Sequence, residues 1–537
     1  MSEVIAGSRS ESKIIRVLRN QLSEHVDWID VLKTPVKTWI PEDCSITIGD
    51  TGFKCIPIPY SLKSETEGYL SFEKNLQRGF GDIVLMKYPE NYYSTSIRVH
   101  EAFRRGASAV ILYEEDEALT RKTVVTDPPY PSNTPGNPPP IPVVTVDQEA
   151  YRALKDMLKN TSKLKATVKV VTDLKDSIGY TLIAGVNGSR DGEIHVATHH
   201  DHWFEGEGDS IAGLKTLVAL AKQLRKVENK ANVFLISFTA KELGSPYISP
   251  YPWSWGSRYF LQVMRNKGFL ENTLYSVVID SVHAATPTVY YHPSLYKVFA
   301  ESLQPGWSAV PGGNHYSFDS LSYLLEGIPS MAITTLNNEY SWRIHYSSLD
   351  NRVSVNSDLI AADLAEFLVK TILSSSPEKI DARNLWDHVS RDWFPLEFKA
   401  IVAKARQAES VIGSLSVLRI VTETFSDCAS LRINDHAVFH AGLLSPLLLI
   451  QEAGSRIEGI LGWEDFSISL QLCSGRFYNF SFTKHNEGFL KETLNKVVDD
   501  IVSSLSVEFG RKHTFKVLTT FDRIQGGAVG EAGSNRS

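Results

Sequence analysis

From about residue 170 to residue 375, short β-rich runs alternate with segments of helical spacing, and this alternation limits the possible fold more than any other feature. The four β-rich runs are 194–198, 233–238, 274–279 and 331–335. Between the first two, apolar residues recur at helical spacing over 213–224. Because crossover helices cover the faces of a sheet, this order of elements predicts an α/β fold built on a doubly wound mixed sheet.

Acidic residues and histidines stand where these runs end. THHDHWFEGEGDSIAG follows the first run, FTAKELG the second and VVIDSVH the third, while RIHYSSLD lies beyond the fourth. Open α/β sheets place their ligand sites at the carboxyl ends of strands, so these side chains are expected to converge in one crevice. Carboxylates mixed with imidazoles suit zinc, manganese or cobalt, and the four cysteines form no CxxC pair for a cysteine-bound zinc.

In order and spacing these motifs resemble the aminopeptidase and glutamate carboxypeptidase-like family of co-catalytic zinc peptidases. Its members carry H-x-D, then D-x-x-[SA]-G opening a helix, then E-E, D and H. The matching residues here are, in that order, His199-His200-Asp201, 209–213, Lys241-Glu242, Asp280 and His345. The resemblance covers roughly 175–375, and Asn314 stands where the family usually has an aspartate.

The resemblance implies two zinc ions per chain. Asp209 would bridge the ions, and Asp201 would fix the tautomer of one ligand through its ring N–H. The remaining ligands would be His199 and Asp280 for one ion, and Glu242 and His345 for the other. As single residues they have plainer interpretations: His200 or His202 could replace His199 as the ligand, Asp280 could cap a turn, and His345 could be a core histidine.

The implied activity is hydrolysis of N-terminal peptide bonds by a hydroxide held between the two zinc ions. In the family a glutamate takes the proton from the attacking water, and Lys241 stands at that position. We expect Lys241 either to swing away from the metals or to have its pKa lowered until it is neutral. Losing a general base costs about 10²- to 10⁴-fold in rate, so impaired hydrolysis is predicted.

Two other functions stay open at this point. The chain could be a catalytically silent homologue that acts as a binding or scaffold protein, which the loss of the base favours. It could also carry out glutaminyl cyclase-like chemistry with one zinc ion. Amino- and carboxypeptidases are not separated by these motifs. Aromatic residues near the motifs could form an apolar specificity wall or belong to the core: Trp203, Tyr251, Trp253, Trp255 and Trp342.

The rest of the chain divides into four further segments. Residues 1–44 are predicted to be the N-terminal helical part of the peptidase domain, and 376–524 an α+β domain with antiparallel strands before a disordered tail, 525–537. Residues 45–165 resemble the protease-associated domain in their order of strand, helix and strand, although any small α/β insert would also fit. The peptidase-like domain itself is then 166–375.

Composition bears mainly on partners and location. A net charge of -7 and a pI near 6.1 argue against nucleic acid as the main partner. The N-terminus lacks a secretory signal and no apolar run could span a bilayer, so a cytoplasmic protein with a peptide substrate and no membrane partner is expected. A homodimer is compatible with the resemblance. Cys44 and Cys55 are close enough to pair, but free thiols are expected in the cytoplasm.

Overall fold

The structure is a computed structural model that describes residues 3–380, apart from short gaps, and four strands between residues 429 and 483. The gaps are 74–80, 90–94, 116–117, 123–139, 162, 229, 247–252, 271, 312–317 and 327. The α-helices are α1 (Arg9–Leu22), α2 (Thr95–Arg104), α3 (Gln148–Asn160), α4 (Ala212–Leu224), α5 (Trp255–Asn266), α6 (Tyr296–Phe299), α7 (Ser320–Leu325), α8 (Glu339–Ile344) and α9 (Ser357–Ser374). The strands are β1 (Trp28–Ile48), β2 (Thr51–Lys54), β3 (Ile56–Pro57), β4 (Ser64–Phe72), β5 (Ile83–Lys87), β6 (Ala109–Tyr113), β7 (Val143–Val146), β8 (Leu164–Val186), β9 (Arg190–His199), β10 (Ala231–Phe238), β11 (Thr273–Ile279), β12 (Thr288–Tyr291), β13 (Ser308–Pro311), β14 (Ser330–Thr334), β15 (Ala429–Ile433), β16 (His436–His440), β17 (Asp465–Leu472) and β18 (Phe477–Thr483).

A fourteen-stranded mixed sheet runs through the described residues of the N-terminal 380. Its strands run in the order β13-β12-β14-β11-β9-β10-β8-β4-β5-β6-β7-β3, and β1 and β2 pair off this path. Strand β9 pairs in parallel with β10 and β11, and β11 pairs in parallel with β14. These four strands are the β-rich runs of the sequence, so the predicted mixed α/β fold is confirmed.

Helices cover both faces of this part of the sheet. On one face α4 packs with α9 over β9, and its apolar stripe is buried: Leu214, Leu217, Leu220, Ala221 and Leu224. On the other face a second apolar cluster joins the sheet to α5 and α7 through Phe238, Phe260 and Tyr323. Leucine-to-alanine changes in such cores cost about 2–5 kcal/mol of stability. This packing therefore holds in place the strand ends that carry the polar motifs.

The N-terminal segment differs from its prediction. Helix α1 begins after the N-cap Ser8 and ends at Leu22, but the following residues form β1, which pairs antiparallel with β8 over nearly its whole length. The predicted helical character of 1–44 was therefore wrong beyond Leu22. Pro41 lies at a shift in the β1–β8 register, where the missing proline N–H is tolerated. The predicted boundaries 44/45 and 165/166 fall inside these two strands.

Between β1 and β8 lies a smaller α/β unit. Strands β5, β6 and β7 pair in parallel, β4 joins them to β8, and α3 covers one side. Strand β7 leads through the N-cap Asp147 into α3. Cys44 and Cys55 form a disulfide, so the expectation of free thiols was wrong. The identity of this unit as a protease-associated domain stays a prediction.

The C-terminal segment is described only as strands. Strands β16, β15, β17 and β18 form a four-stranded antiparallel sheet in that order, and β17 and β18 are the alternating runs FSISLQL and RFYNFSFT of the sequence. Apart from 376–380 and these strands, the predicted α+β domain 376–524 and the predicted tail 525–537 lie outside the described residues. Among the described helices, none is both long and apolar enough to cross a membrane.

Candidate metal centre

His199 ends β9 with its imidazole buried beneath the strand ends. Its Nδ1–H donates a hydrogen bond to the backbone carbonyl of Asp201 at 2.9 Å, which fixes the tautomer. The free Nε2 lies 3.9 Å from Oδ1 of Asp209 and 3.8 Å from Oδ1 of Asp280. This imidazole therefore presents an unprotonated nitrogen to two carboxylates.

The two neighbouring histidines are engaged elsewhere. Both ring nitrogens of His200 have partners, Ser237 Oγ at 2.8 Å and Glu11 Oε1 at 3.1 Å. Nδ1 of His202 lies 2.7 Å from Oγ of Ser210. Of the three, the structure brings His199 to the carboxylate cluster.

Asp209 lies in a single π-helical turn, Glu207–Ile211, that leads into α4. Such turns inside or beside α-helices are frequent at functional sites. The carboxylate of Asp350 holds the turn by accepting hydrogen bonds from the N–H groups of Gly208 at 2.7 Å and Asp209 at 3.1 Å. No role was predicted for Asp350, although a carboxylate shortly after the predicted ligand His345 was a usable signal.

Asp201 holds a second turn in the same way. Its carboxylate accepts hydrogen bonds from the backbone N–H groups of Lys241 at 3.1 Å and Glu242 at 2.9 Å. The turn follows β10, and Ala240 just before it has a left-handed φ of 50°. Asp201 thus positions the predicted ligand His199 through its carbonyl and the predicted ligand Glu242 through its carboxylate.

Asp280 directly follows β11, and the next residue links it to Asp209. Oγ of Ser281 lies 2.7 Å from Oδ1 of Asp280 and 2.9 Å from Oδ1 of Asp209. Ser281 was not predicted as a site residue, because a lone serine after a strand carries no signal of its own.

His345 closes the cluster from the segment after α8. Its Nδ1 lies 3.6 Å from Oδ1 of Asp209, and its ring stacks on Tyr346 with centroids 3.6 Å apart. The backbone beside it is tied to the smaller α/β unit, since the carbonyl of Tyr346 accepts a hydrogen bond from the N–H of Arg121 at 2.9 Å. All five predicted ligands therefore lie in one buried region.

Three non-glycine residues beside these side chains have a left-handed backbone. Ala240 precedes Lys241, Ser281 follows Asp280 and Tyr346 follows His345, with φ values of 50°, 54° and 54°. Such conformations cost about 1–3 kcal/mol each and concentrate at functional sites. Holding these three backbone conformations therefore lowers the stability of the folded state.

Lys241 lies inside the carboxylate cluster. Its Nζ lies 2.8 Å from Oε1 of Glu242 and 3.3 Å from Oδ1 of Asp280, and the residue is only 1% exposed. Burial opposes the charged ammonium, but the carboxylates of Asp280 and Glu242 outweigh it and raise the pKa of Lys241 well above its usual range. Paired carboxylates favour the charged form of a lysine. The two predicted courses of Lys241 concern a centre that holds metal ions, and they stay predictions.

Ligand atoms without hydrogen-bond partners indicate that these residues fit a metal ion. In the part of the chain that the structure describes, several buried ligand atoms make no hydrogen bond: His199 Nε2, Asp209 Oδ2, Glu242 Oε2, Asp280 Oδ2 and His345 Nδ1. Leaving such atoms unpaired is costly, and a bound cation would satisfy them. His199, Asp209 and Asp280 place ligand atoms within 4.8 Å of one another. Burial also lowers the pKa of His199 and His345 well below the usual value, which favours the neutral, metal-binding imidazole.

The aromatic residues near the motifs have different surroundings, and a specificity wall stays a prediction. Trp203 is buried and packs edge-on against Trp39, with the guanidinium of Arg121 over its ring, so it belongs to a core cluster. Trp342 lies beside the candidate ligand His345, with ring centroids 6.4 Å apart. Tyr251 and Asn314 lie outside the described residues.

Comparison with known proteins gives similarities of fold and of part of the sequence. No protein-family model matches the chain. Over 166 residues the chain is 29% identical to Aminopeptidase YwaD of Bacillus subtilis (strain 168). The matched segment is 30% of this chain and only 33% of that relative. The solved structure of a Peptidase M28 precursor from Shewanella amazonensis SB2B matches with a TM-score of 0.55 and 16% identity, over 70% of this chain and 90% of that one. The structure of BSAP, a zinc aminopeptidase from Bacillus subtilis, matches with a TM-score of 0.51 and 17% identity, over 71% and 93% of the two chains. The described part of this chain therefore shares the fold of these solved peptidase structures.

Proposed function

We propose that this protein is a zinc-dependent exopeptidase of the aminopeptidase type, with turnover limited by Lys241. The observation that carries the proposal is the convergence of His199, Asp209 and Asp280, whose unpaired ligand atoms lie within 4.8 Å of one another. Support also comes from the similarity to proteins whose names describe aminopeptidases and zinc aminopeptidases. The count of two zinc ions per chain stays a prediction.

The chain's own residues would prepare this centre for hydrolysis. A bound zinc ion supplies a Lewis acid that polarises the peptide carbonyl and makes water more acidic. The carbonyl of Asp201 keeps the free nitrogen of His199 directed at the ion's position. Ser281 aligns the carboxylates of Asp209 and Asp280 by donating to either one. Burial of the site excludes bulk water and strengthens each of these interactions.

Proton transfer is the weak step. The ammonium of Lys241 has no lone pair to accept a proton, and its contacts with Glu242 and Asp280 keep it charged. We expect turnover about 10²- to 10⁴-fold below that of a centre with a carboxylate at this position. The same observation favours a second candidate function, a silent homologue that binds peptides without cleaving them.

The test compares the native protein with Lys241→Glu and Lys241→Gln. Each protein is loaded with zinc, and hydrolysis of short peptides with free and with acetylated N-termini is measured. We expect weak cleavage of free N-termini by the native protein, a gain for Lys241→Glu, and no comparable gain for Lys241→Gln, which loses the charge without gaining a base. No hydrolysis by any of the three, with zinc bound, would contradict the enzyme and favour the silent homologue.

A further inference from the structure

We propose that the ammonium group of Lys241 takes the place of one metal ion, so that the centre binds a single divalent cation between His199, Asp209 and Asp280. The inference rests on the proposed function in one respect, since it requires that the centre binds a metal. It deepens that function by assigning Lys241 a structural charge in the site rather than a failed catalytic role.

The position of the ammonium carries the first step. Nζ lies within hydrogen-bonding distance of Glu242 Oε1, at 2.8 Å, and 3.3 Å from Asp280 Oδ1. In the two-zinc arrangement that the resemblance implies, these carboxylates belong to different ions. An ion bound by Glu242 would lie beside a buried ammonium group, where repulsion between like charges is weakly screened. Lys241 therefore competes with a cation at Glu242.

The charges of the cluster give the second step. Asp209, Glu242 and Asp280 carry three negative charges when ionised, and one divalent ion with one ammonium carries three positive charges. A second divalent ion would leave two positive charges in excess among these groups. Because uncompensated buried charge is expensive, the balanced arrangement is one ion together with Lys241.

The ligand geometry gives the third step. Of the described side chains, His199, Asp209 and Asp280 form a group whose ligand atoms all lie within 4.8 Å of one another. Oε1 of Glu242 accepts a hydrogen bond from Lys241 instead, and Nδ1 of His345 lies 3.6 Å from Oδ1 of Asp209. The compact ligand set thus corresponds to one of the two ion positions.

The surroundings hold Lys241 in this place. Its backbone N–H is bound by the carboxylate of Asp201, and its Nζ lies 3.2 Å from the hydroxyl of Tyr346 and 5.6 Å from the centre of that ring. The tyrosine oxygen and the aromatic face both stabilise a cation. Withdrawing the ammonium to admit a second ion would break all of these side-chain contacts.

Metal stoichiometry tests the inference without relying on activity. The full-length native protein is saturated with zinc, freed of loosely bound metal and measured by mass spectrometry of the element; a parallel sample holds manganese for electron paramagnetic resonance. We expect one ion per chain and the spectrum of an isolated Mn²⁺ in the native protein and in Lys241→Arg. Lys241→Ala should bind a second ion and show the spectrum of a coupled pair.

A matched control is Lys230→Ala. Lys230 is also buried, but its Nζ donates to the backbone carbonyls of Asn187 and Val227, away from the centre. This variant should keep one ion per chain. If circular dichroism shows that Lys241→Ala does not fold, Lys241→Met replaces it. The metal stoichiometry and the manganese spectrum of the native protein then still test the inference.

The outcomes separate the two proposals. Two ions per native chain, or a coupled manganese pair in the native protein, would overturn the inference and leave the zinc exopeptidase intact. A single ion that remains single in a folded Lys241→Ala would also overturn it, because the ammonium would then not be what excludes the second. One ion in the native protein and two in Lys241→Ala would support the inference. If the zinc-loaded native protein, Lys241→Glu and Lys241→Gln also showed no hydrolysis, the exopeptidase would be contradicted while the inference stood.

Discussion

The carboxylate of Asp201 accepts a hydrogen bond from the backbone N–H of Glu242 at 2.9 Å, so one candidate site residue positions another through its main chain. Asp350 does the same for Asp209 on the other side of the cluster, at 3.1 Å. Two turns that carry candidate ligands are therefore held by carboxylates that point at the backbone rather than at the metal position. Mutating such supporting groups typically lowers metal affinity about 10- to 100-fold.

Replacing Asp201 by asparagine should loosen the Lys241–Glu242 turn. An amide offers one acceptor oxygen and presents its NH₂ group to the other backbone N–H, so one buried hydrogen bond is lost. We expect metal affinity to fall about 10- to 100-fold and stability to fall by about 1–3 kcal/mol. Competition with a chelator and urea unfolding measure the two effects. Asp176→Asn, at an exposed position, should change neither.

Ser281 allows backbone strain to be separated from hydrogen bonding. Both Ser281→Ala and Ser281→Gly remove the hydroxyl between Asp209 and Asp280, but only glycine relieves the left-handed φ of 54°. We expect both variants to bind metal more weakly, and the glycine variant to be more stable than the alanine variant by about 1 kcal/mol. Equal stability of the two in denaturant unfolding would show that the turn is not strained.

Asp319 should make stability depend on pH. Burial raises the pKa of this carboxyl from 3.8 to about 7, while Oγ of Ser257 donates to it at 2.5 Å. The folded state then binds a proton more tightly than the unfolded chain, so this group's contribution is complete below about pH 4 and is lost as pH rises through about 7.

The asparagine variant of Asp319 isolates that contribution. Between pH 4 and pH 7 the stability of the native protein should fall relative to Asp319→Asn by a few kcal/mol, since each pKa unit corresponds to about 1.4 kcal/mol. Urea unfolding of both proteins across this range measures the difference. A difference that does not vary with pH would contradict the raised pKa.

Glu11 should be a major contributor to stability despite its distance in sequence from the site. This buried carboxylate on α1 accepts hydrogen bonds from the N–H groups of Gly7 and Tyr180 and from Thr239, and lies 3.1 Å from Nε2 of His200. Glu11→Ala leaves all of these groups without their partner and should cost about 3–5 kcal/mol, measured by chemical unfolding. The exposed Glu24→Ala is the matched control.

Removing the metal should lower the melting temperature. A ligand that binds only the folded state, at a hundred times its Kd, stabilises by about 2.7 kcal/mol. We expect a chelator to lower the melting temperature of the native protein and to have little effect on His199→Ala, which lacks the free imidazole nitrogen of the compact ligand group. An equal chelator effect on both proteins would contradict the assignment of His199.

The sequence predicted the parts of the fold that local pattern determines. The four β-rich runs became β9, β10, β11 and β14, and the motifs lie at their ends because parallel strands bring their carboxyl ends to one edge. The strand β1 was missed because its residues carry two prolines and little alternation, and only the long-range pairing with β8 stabilises it. Residue order predicts such non-local pairing poorly.

The candidate site was predictable in composition but not in contacts. His199 could be distinguished from His200 and His202 only once its Nε2 was seen to face Asp209 and Asp280. The position of the Lys241 ammonium group depends on Asp280, which follows a different strand. Both outcomes are set by side chains that meet through the tertiary fold, and no spacing in the sequence encodes them.

The candidate ligands come from separate segments between His199 and His345, each held by a different strand end or turn. No short fragment of the chain contains them all, and they meet only after the parallel strands have paired. Uptake of metal would therefore occur late in folding and report on the assembly of the entire sheet. A destabilising change far from the centre, such as one in the packing of α9 on α4, should therefore be detected first as loss of the bound ion.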